Sequence, residues 1–368
     1  MYDACIIFII FLLIAAIILL VGVGFSSNTY TEYIIFFVLL GLILLVAFIS
    51  LVTTNPQPTD GQTSDTLSIV TYTSLGKRGD MGNQMFQIAC LLSAAKRSND
   101  KVVLPTTITK LPIYELFDLS DIAVEDVKVN DYYCDYDNYE AINIPKTGQV
   151  YDIRGYRQAT KYFADNSNAI RQLFTPKQQL LDKMKAVLPN EYIAVHIRRG
   201  DYMKFMHKVP LLREFRRCQL AYYINAIKKL RKIKPDCQVL ICTDSPTWVT
   251  PLLSQLDKQA MLAPIPSDIK PKFADFCTLY LASAVIMSNS TYSWWATYLR
   301  TNRPVIAPTP WWDPDGFIGS AYRLHGNWLH FEGMQLLDAD TGVECTTENR
   351  HDDTPVLPLY KIIRGAII

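Results

Sequence analysis

Glu191-Tyr192-Ile193-Ala194-Val195-His196-Ile197-Arg198-Arg199-Gly200-Asp201-Tyr202 is a strand that stops in charge. Tyr192 to Val195 are apolar without alternation, the pattern of a strand covered on both faces. Two guanidinium groups and a carboxyl follow at its carboxyl end. The same grammar recurs three times. Ser68-Ile69-Val70-Thr71-Tyr72 runs into the turn Gly76-Lys77-Arg78-Gly79-Asp80-Met81-Gly82-Asn83, and Gln84 to Arg97 then has helical spacing. Cys237 to Cys242 ends in Thr243-Asp244. Ala284 to Met287 ends in Ser288-Asn289-Ser290-Thr291, ahead of a helix-like Tyr292 to Arg300. Strands alternating with helices predict an α/β protein with parallel sheets. Ligands of such sheets bind outside the carboxyl ends of the strands, where all four junctions put polar residues.

Outward from this core, the segment from Asn166 to Asn190 holds a helix over Leu180 to Val187, and the lobe boundary is expected near Pro176. The predicted organisation is an N-terminal lobe over 69–176, a C-terminal lobe over 177–335 and an extension over 336–368. Residues 53–68, rich in Thr, Pro, Gln, Asp and Ser, read as a linker. Residues 1–52 contain no Lys or Arg and only two acids, Asp3 and Glu32. Residues 5–24 and 33–52 are each long enough to cross a bilayer, which takes about 20 apolar residues as a helix. They predict a two-span membrane anchor, a hairpin with both ends on one side. A cleaved signal peptide is the other reading of the first run, although it lacks a positive leading region. With no flanking bases to count, topology is undetermined.

Over the whole chain, 36 Lys+Arg stand against 35 Asp+Glu, a net charge of +1, which offers nucleic acid no global attraction. Apolar residues make up 49%, which excludes a disordered chain. Eight cysteines form no C-x-x-C pair, so a structural zinc site is not expected. Cys90 and Cys242 sit in apolar runs and read as buried thiols.

Arg198-Arg199 carries the sharpest chemistry. A guanidinium fork matches phosphate oxygens two at a time, so a diphosphate is a natural partner. The alternative is a solvated pair with Asp201 as its surface counter-ion. The Gly-rich turn before Gln84 can cradle phosphate at a helix N-terminus, but it is neither a P-loop nor G-x-G-x-x-G. Ser288 to Trp295 opens a helix with hydroxyls that cap it or donate to phosphate. Trp294 and Trp295 read as core anchors. The pairs Asp135/Asp137, Asp313/Asp315 and Asp338/Asp340 follow no strand-like run and read as loop acids.

Taken together and in order, Gly82 to Gln87, Gly155 to Phe163, His196 to Tyr202 and Asn289 to Trp295 resemble the motifs of α-1,2-fucosyltransferases, glycosyltransferase family 11. The resemblance spans roughly residues 69–330. It implies a GT-B-like fold of two Rossmann-like lobes and the inverting transfer of L-fucose from GDP-fucose to the 2-hydroxyl of a terminal β-galactoside. GDP-fucose would be a co-substrate and no metal would be obligatory. It also implies a membrane protein, in the Golgi or another endomembrane. Carried onto this chain, Arg198 would hold the β-phosphate and stabilise departing GDP. Arg199 would support it, and His196 and Asp201 would shape the donor site. Asn83 would face the diphosphate from the first lobe, Ser290, Thr291 and Ser293 would line the donor side, and Asp244 would stand near the guanine. Asp201 is the expected base, with His196 and Glu214 as alternatives.

The chain departs from the family pattern in several places. Asp80 stands where Arg is usual, with Arg157 where Trp and Ala159 where Ser are usual, in Gly155-Tyr156-Arg157-Gln158-Ala159. Two N-terminal spans replace the usual single anchor, and Leu211 to Cys218 stands where a His-Gly-Val-Cys stretch usually precedes the paired Tyr222-Tyr223. The rival readings are a non-catalytic, membrane-anchored binder of glycans or nucleotide sugars, and a transferase with another nucleotide sugar.

Overall fold

The structure is a computed structural model that describes residues 67–77, 79–133, 141–200, 217–311, 329, 331 and 333–345. The two expected spans, the linker up to residue 66, Asp201, Glu214, Asp135/Asp137 and Asp313/Asp315 lie outside the described residues. Among the described residues, no helix is long and apolar enough to cross a membrane.

The first sheet starts with β1 (Ile69–Thr71), whose β-branched residues suit a covered strand. Helix α1 (Met81–Ser98) follows. It stops at Asn99, which takes the left-handed conformation at φ 57° and donates its N–H to the carbonyl of Lys96. Lys96 and Arg97 in the last turn favour the negative end of the helix dipole. Then come β2 (Lys101–Leu104), β3 (Ala123–Val124), β4 (Asp131–Tyr133) and β5 (Val150–Ile153), in the all-parallel order β3-β2-β1-β5-β4.

Two helices, α2 (Ser167–Leu173) and α3 (Gln178–Lys185), lead to the second sheet. It begins with β6 (Tyr192–Ile197), buried at every residue. Next in the chain are α4 (Leu220–Arg231), β7 (Gln238–Thr243), the short α5 (Pro246–Val249) and β8 (Ala260–Leu262). The sheet is completed by α6 (Pro271–Leu281), β9 (Ala284–Ile286), α7 (Thr291–Tyr298), β10 (Val305–Thr309) and β11 (Met334–Asp338). Its order is β11-β10-β9-β6-β7-β8, again parallel throughout. The α/β class is therefore as the alternation of segments predicts.

Each sheet has one place where the chain reverses its direction of growth. It lies between β1 and β5 in the first and between β6 and β9 in the second. Such switch points open a crevice at the carboxyl ends of the strands.

The described residues belong to one compact unit, Ser64–Pro355. Within it an aromatic seam joins the two sheets' layers. Phe86 of α1 lies 4.7 Å from Trp294 and 4.8 Å from Trp295 of α7 between ring centroids. Phe163 stacks on Trp295 at 5.4 Å, Phe174 meets Trp295 edge-on at 5.3 Å, and Phe117 meets Phe276 of α6 at 5.6 Å. All of these rings are fully buried. Each buried side chain of this size contributes about 2–3 kcal/mol by area alone, and each ring pair roughly 0.5–1.5 kcal/mol more. Trp294 and Trp295 are core anchors, as read from the sequence.

Some elements differ from the sequence reading. Asp338 is not a loop acid: it ends β11, and its Oδ1 accepts the N–H groups of Asp340 and Thr341. A carboxylate that closes its own turn in this way caps the strand. The second sheet also runs to Asp338, past position 335. Strand β5 hides in a polar sequence because Asp152 is buried inside it, accepting from Thr73 N at 2.7 Å and Thr73 Oγ1 at 2.8 Å.

Candidate active site

The site grows from the switch point of the second sheet. His196 and Ser288, from the ends of neighbouring β6 and β9, meet through Nδ1 and Oγ at 2.7 Å. His196 is 4% exposed. Burial pulls its pKa down to about 3, and the Arg198 charge pushes the same way against the weaker pull of Asp244. The imidazole is therefore neutral, and its Nδ1 is engaged by the Ser288 hydroxyl.

Beyond Ile197 the chain turns, and Asp244, at the end of β7, holds that turn. Its Oδ1 accepts the N–H of Arg199 at 2.9 Å and its Oδ2 the N–H of Gly200 at 3.1 Å. Oδ2 also pairs with Nη1 of Arg198 at 3.0 Å. A Cβ at Gly200 would stand 2.8 Å from Oδ2, so glycine is what lets the loop come this close. Arg199 points elsewhere: its guanidinium lies 3.6 Å over the ring of Trp248 in α5. Burial lowers the Arg199 pKa, and Arg217 nearby lowers it further. Nη2 of Arg198 lies 3.7 Å from Asp80 of the first lobe, so this guanidinium bridges two carboxylates across the cleft.

The N-termini of two helices meet beside it. A Cβ at Gly82 would come within 2.6 Å of backbone atoms of Thr291 and Tyr292, so only glycine permits this approach of α1 to α7. Neither helix start carries a side-chain cap: Asp80 and Ser290 occupy the cap positions without a capping bond. Asn83 joins the pieces, its Oδ1 accepting Gln158 Nε2 at 2.7 Å and Thr291 Oγ1 at 3.2 Å. Uncapped N–H groups, helix dipoles and a held guanidinium together favour an anion with several oxygens.

The structure thus brings Asn83, His196, Arg198, Asp244, Ser290 and Thr291 to one place, while Arg199 contributes its backbone N–H there and turns its guanidinium onto Trp248. It sets Ser293 apart: that side chain is fully buried, and its hydroxyl donates to the carbonyl of Ser290 at 3.1 Å, closing the first turn of α7. Asp244 has both oxygens engaged by protein groups, so its geometry is that of a clamp on Arg198. Gln158 lay in the Gly155 to Phe163 motif without a role assigned to it, and Trp248 was not singled out by the sequence. Neither was Asp275 of α6, which accepts the Thr243 N–H and whose carboxyl burial raises to about 7. Trp248 and Asp275 fall in no strand-end motif, and only the packing of α5, α6 and the loop after β5 brings the three here.

Comparison with known proteins follows the same lines. A family profile described as Glycosyl transferase family 11 matches residues 44–331. An α-1,2-colitosyltransferase of Escherichia coli is 27% identical over 182 residues, covering 47% of this chain and 59% of that protein. The bovine (Bos taurus) galactoside 2-alpha-L-fucosyltransferase SEC1 is 23% identical over 240 residues, 61% of this chain and 64% of that one. The chain thus spans less than two thirds of the length of either relative. Among solved structures, NodZ α-1,6-fucosyltransferase soaked with GDP-fucose aligns at 14% identity over 67% of this chain and 96% of that one. Its TM-score of 0.41 is too low to add to the fold read from the sheets themselves. With the profile covering most of the sequence, and both switch points falling inside it, the chain belongs to glycosyl transferase family 11.

Proposed function

We propose that this chain is an inverting α-1,2-fucosyltransferase that moves L-fucose from GDP-fucose to the 2-hydroxyl of a terminal β-galactoside. The observation that carries the reading is Arg198, held by Asp244 at the second switch point beside two uncapped helix starts. In this reading the diphosphate lies against Arg198 and the N-termini of α1 and α7, and it displaces Asp80 from the guanidinium. As the bond from the anomeric carbon to phosphate breaks, negative charge grows on the leaving GDP. A preorganised Arg198 stabilises that charge more than it stabilises the bound donor. Arg199 stays on Trp248 as a supporting charge, and neutral His196 shapes the donor site. Asp201, one residue past Gly200, takes the acceptor proton. The basic groups neutralise diphosphate without an obligatory metal.

The acceptor lies on the first lobe of a GT-B-like pair of lobes. The two apolar runs within residues 1–52 support a membrane anchor, and the location in this reading is an endomembrane such as the Golgi. A transferase with a donor sugar other than fucose is the second reading, favoured by the 27% identity to a colitosyltransferase. GDP release from GDP-fucose with and without lactose, in buffer and in excess EDTA, tests the proposal. Lactose-dependent release that survives EDTA is expected. No release with any β-galactoside would overturn the reading, and a strict need for Mg²⁺ or Mn²⁺ would overturn its metal-free part.

A further inference from the structure

We propose that Tyr156 is the stacking platform for the acceptor sugar, an aromatic face that takes the apolar side of a hexopyranose ring at the switch point of the first sheet. This rests on the reading of the chain as a transferase to a galactoside, and deepens it. The loop after β5 leaves the sheet beside β1, at the carboxyl ends where the first sheet reverses its order. The loop is held on both sides of Tyr156, and the carbonyl of Arg157 accepts the N–H of Ala159 at 2.9 Å. The carbonyl of Gly155 accepts from the Tyr72 hydroxyl and from Gln87 Nε2 at 3.3 Å. Arg157 is 1% exposed, with Nη1 at 3.4 Å from the Tyr162 hydroxyl.

The conformation is costly. Gly155 has φ 103°, and Arg157, which is not a glycine, has φ 53°. A left-handed residue with a side chain is strained, and such strain persists where the surroundings over-determine it. Between these two residues the tyrosine is presented 40% exposed. Among the described residues it is the aromatic member of the exposed large apolar side chains, the others being single aliphatics and one Met. Isolated aliphatics on a surface are ordinary, whereas an aromatic ring held outward on a strained, pinned loop is a specific arrangement.

The loop is also tied to the anion site. Gln158 donates to Asn83 at 2.7 Å, and Tyr156 is two residues away, about 7 Å of chain at most. A sugar resting on that ring therefore lies within reach of a donor whose diphosphate sits at Asn83 and Arg198. The C–H bonds along one face of galactose make an apolar surface that an aromatic ring covers, and Tyr gives that area at small cost in conformational freedom.

The test is binding of methyl β-galactoside and lactose, followed by ligand-observed NMR, to the full chain with saturating GDP. The same measurement is made on Tyr156→Ala, Tyr156→Phe and Tyr156→Trp, with GDP titrated calorimetrically into each. Tyr156→Ala is expected to weaken galactoside binding about fivefold to tenfold, with GDP affinity unchanged and with Phe and Trp restoring the sugar. Equal galactoside binding by wild type and Tyr156→Ala would overturn the proposal. So would a failure of the wild type to bind either glycoside, or a parallel loss of GDP. The reading of the function fails separately, by absent fucose transfer in a wild-type protein that still binds the sugar through Tyr156.

Discussion

Asp244→Ala removes four acceptor contacts at once: those to Arg199 N, Gly200 N, Arg198 Nη1 and Ser245 Oγ, at 2.9, 3.1, 3.0 and 3.2 Å. Its side chain is 23% exposed, so water replaces some of what is lost at the two amides. The loss that matters for turnover is the orientation of Arg198. A hydrogen bond to a charged group is worth about 1.5–3 kcal/mol, which is roughly a tenfold to 150-fold fall in kcat/KM. Arg198→Ala, which removes the preorganised charge itself, is expected to cost about 10²–10³ in turnover, or roughly 3–4 kcal/mol. Arg198→Lys should come close to that, because it keeps charge and loses the planar fork.

The decisive variant is the double one. If Asp244 acts only by aiming Arg198, then Arg198→Ala/Asp244→Ala should be within about 1 kcal/mol of Arg198→Ala alone, far from the sum of the singles. Steady-state rates with GDP-fucose and lactose, with thermal melts to establish folding, complete the cycle. Additive losses would refute the reasoning, because they would mean that Asp244 meets the substrate directly.

Three further outcomes are expected. Asp80→Asn removes a carboxylate 3.7 Å from Arg198 that a diphosphate must compete with, and since Asp80 makes no capping bond the helix loses little. Calorimetry should show GDP binding about twofold to fivefold tighter, given that exposed pairs are worth about 1 kcal/mol or less; weaker binding would argue against competition at Arg198. Trp295→Ala opens the seam that Phe86, Phe163 and Phe174 share, and should cost about 3–5 kcal/mol in chemical denaturation. One unfolding transition seen by probes in both sheets is expected, and two separated transitions would mean that the seam does not unite them. Burial lowers the His196 pKa to about 3, well below the ordinary imidazole value of about 6.5, so the unfolded chain binds its proton first as pH falls. Its contribution is constant above about pH 6.5 and erodes from there towards pH 3, at up to about 1.4 kcal/mol per pH unit. His196→Gln should flatten that part of the stability curve, and an unchanged slope would show that the imidazole is not buried neutral.

Much of the fold was open to local reading because its central strands are covered on both faces. Tyr192 to Ile197 and Gln238 to Thr243 have to be apolar through most of their length, and the charge that follows them has to mark a strand end. Two interior strands were less visible. Strand β5 carries a buried carboxylate, and the short apolar run of β10 ends in Pro308, a residue unusual in a covered strand. The residue types of the anion site were likewise present in the motifs around Asn83, Arg198 and Ser290. What each one does was not, because a role depends on the partner that occupies each polar atom. Ser293 spends its hydroxyl on a carbonyl of its own helix, Asp244 spends both oxygens on the turn after β6, and Arg199 lies on Trp248. Periodicity and spacing act over a few residues and settle strands, helices and their ends. Contacts such as Asn83 with Thr291, 208 positions apart, exist only once packing of α1 against α7 brings them together. For this chain the class of fold and the chemistry of the loops were therefore written locally, and tertiary packing alone decided which of those groups face a ligand and which hold the others in place.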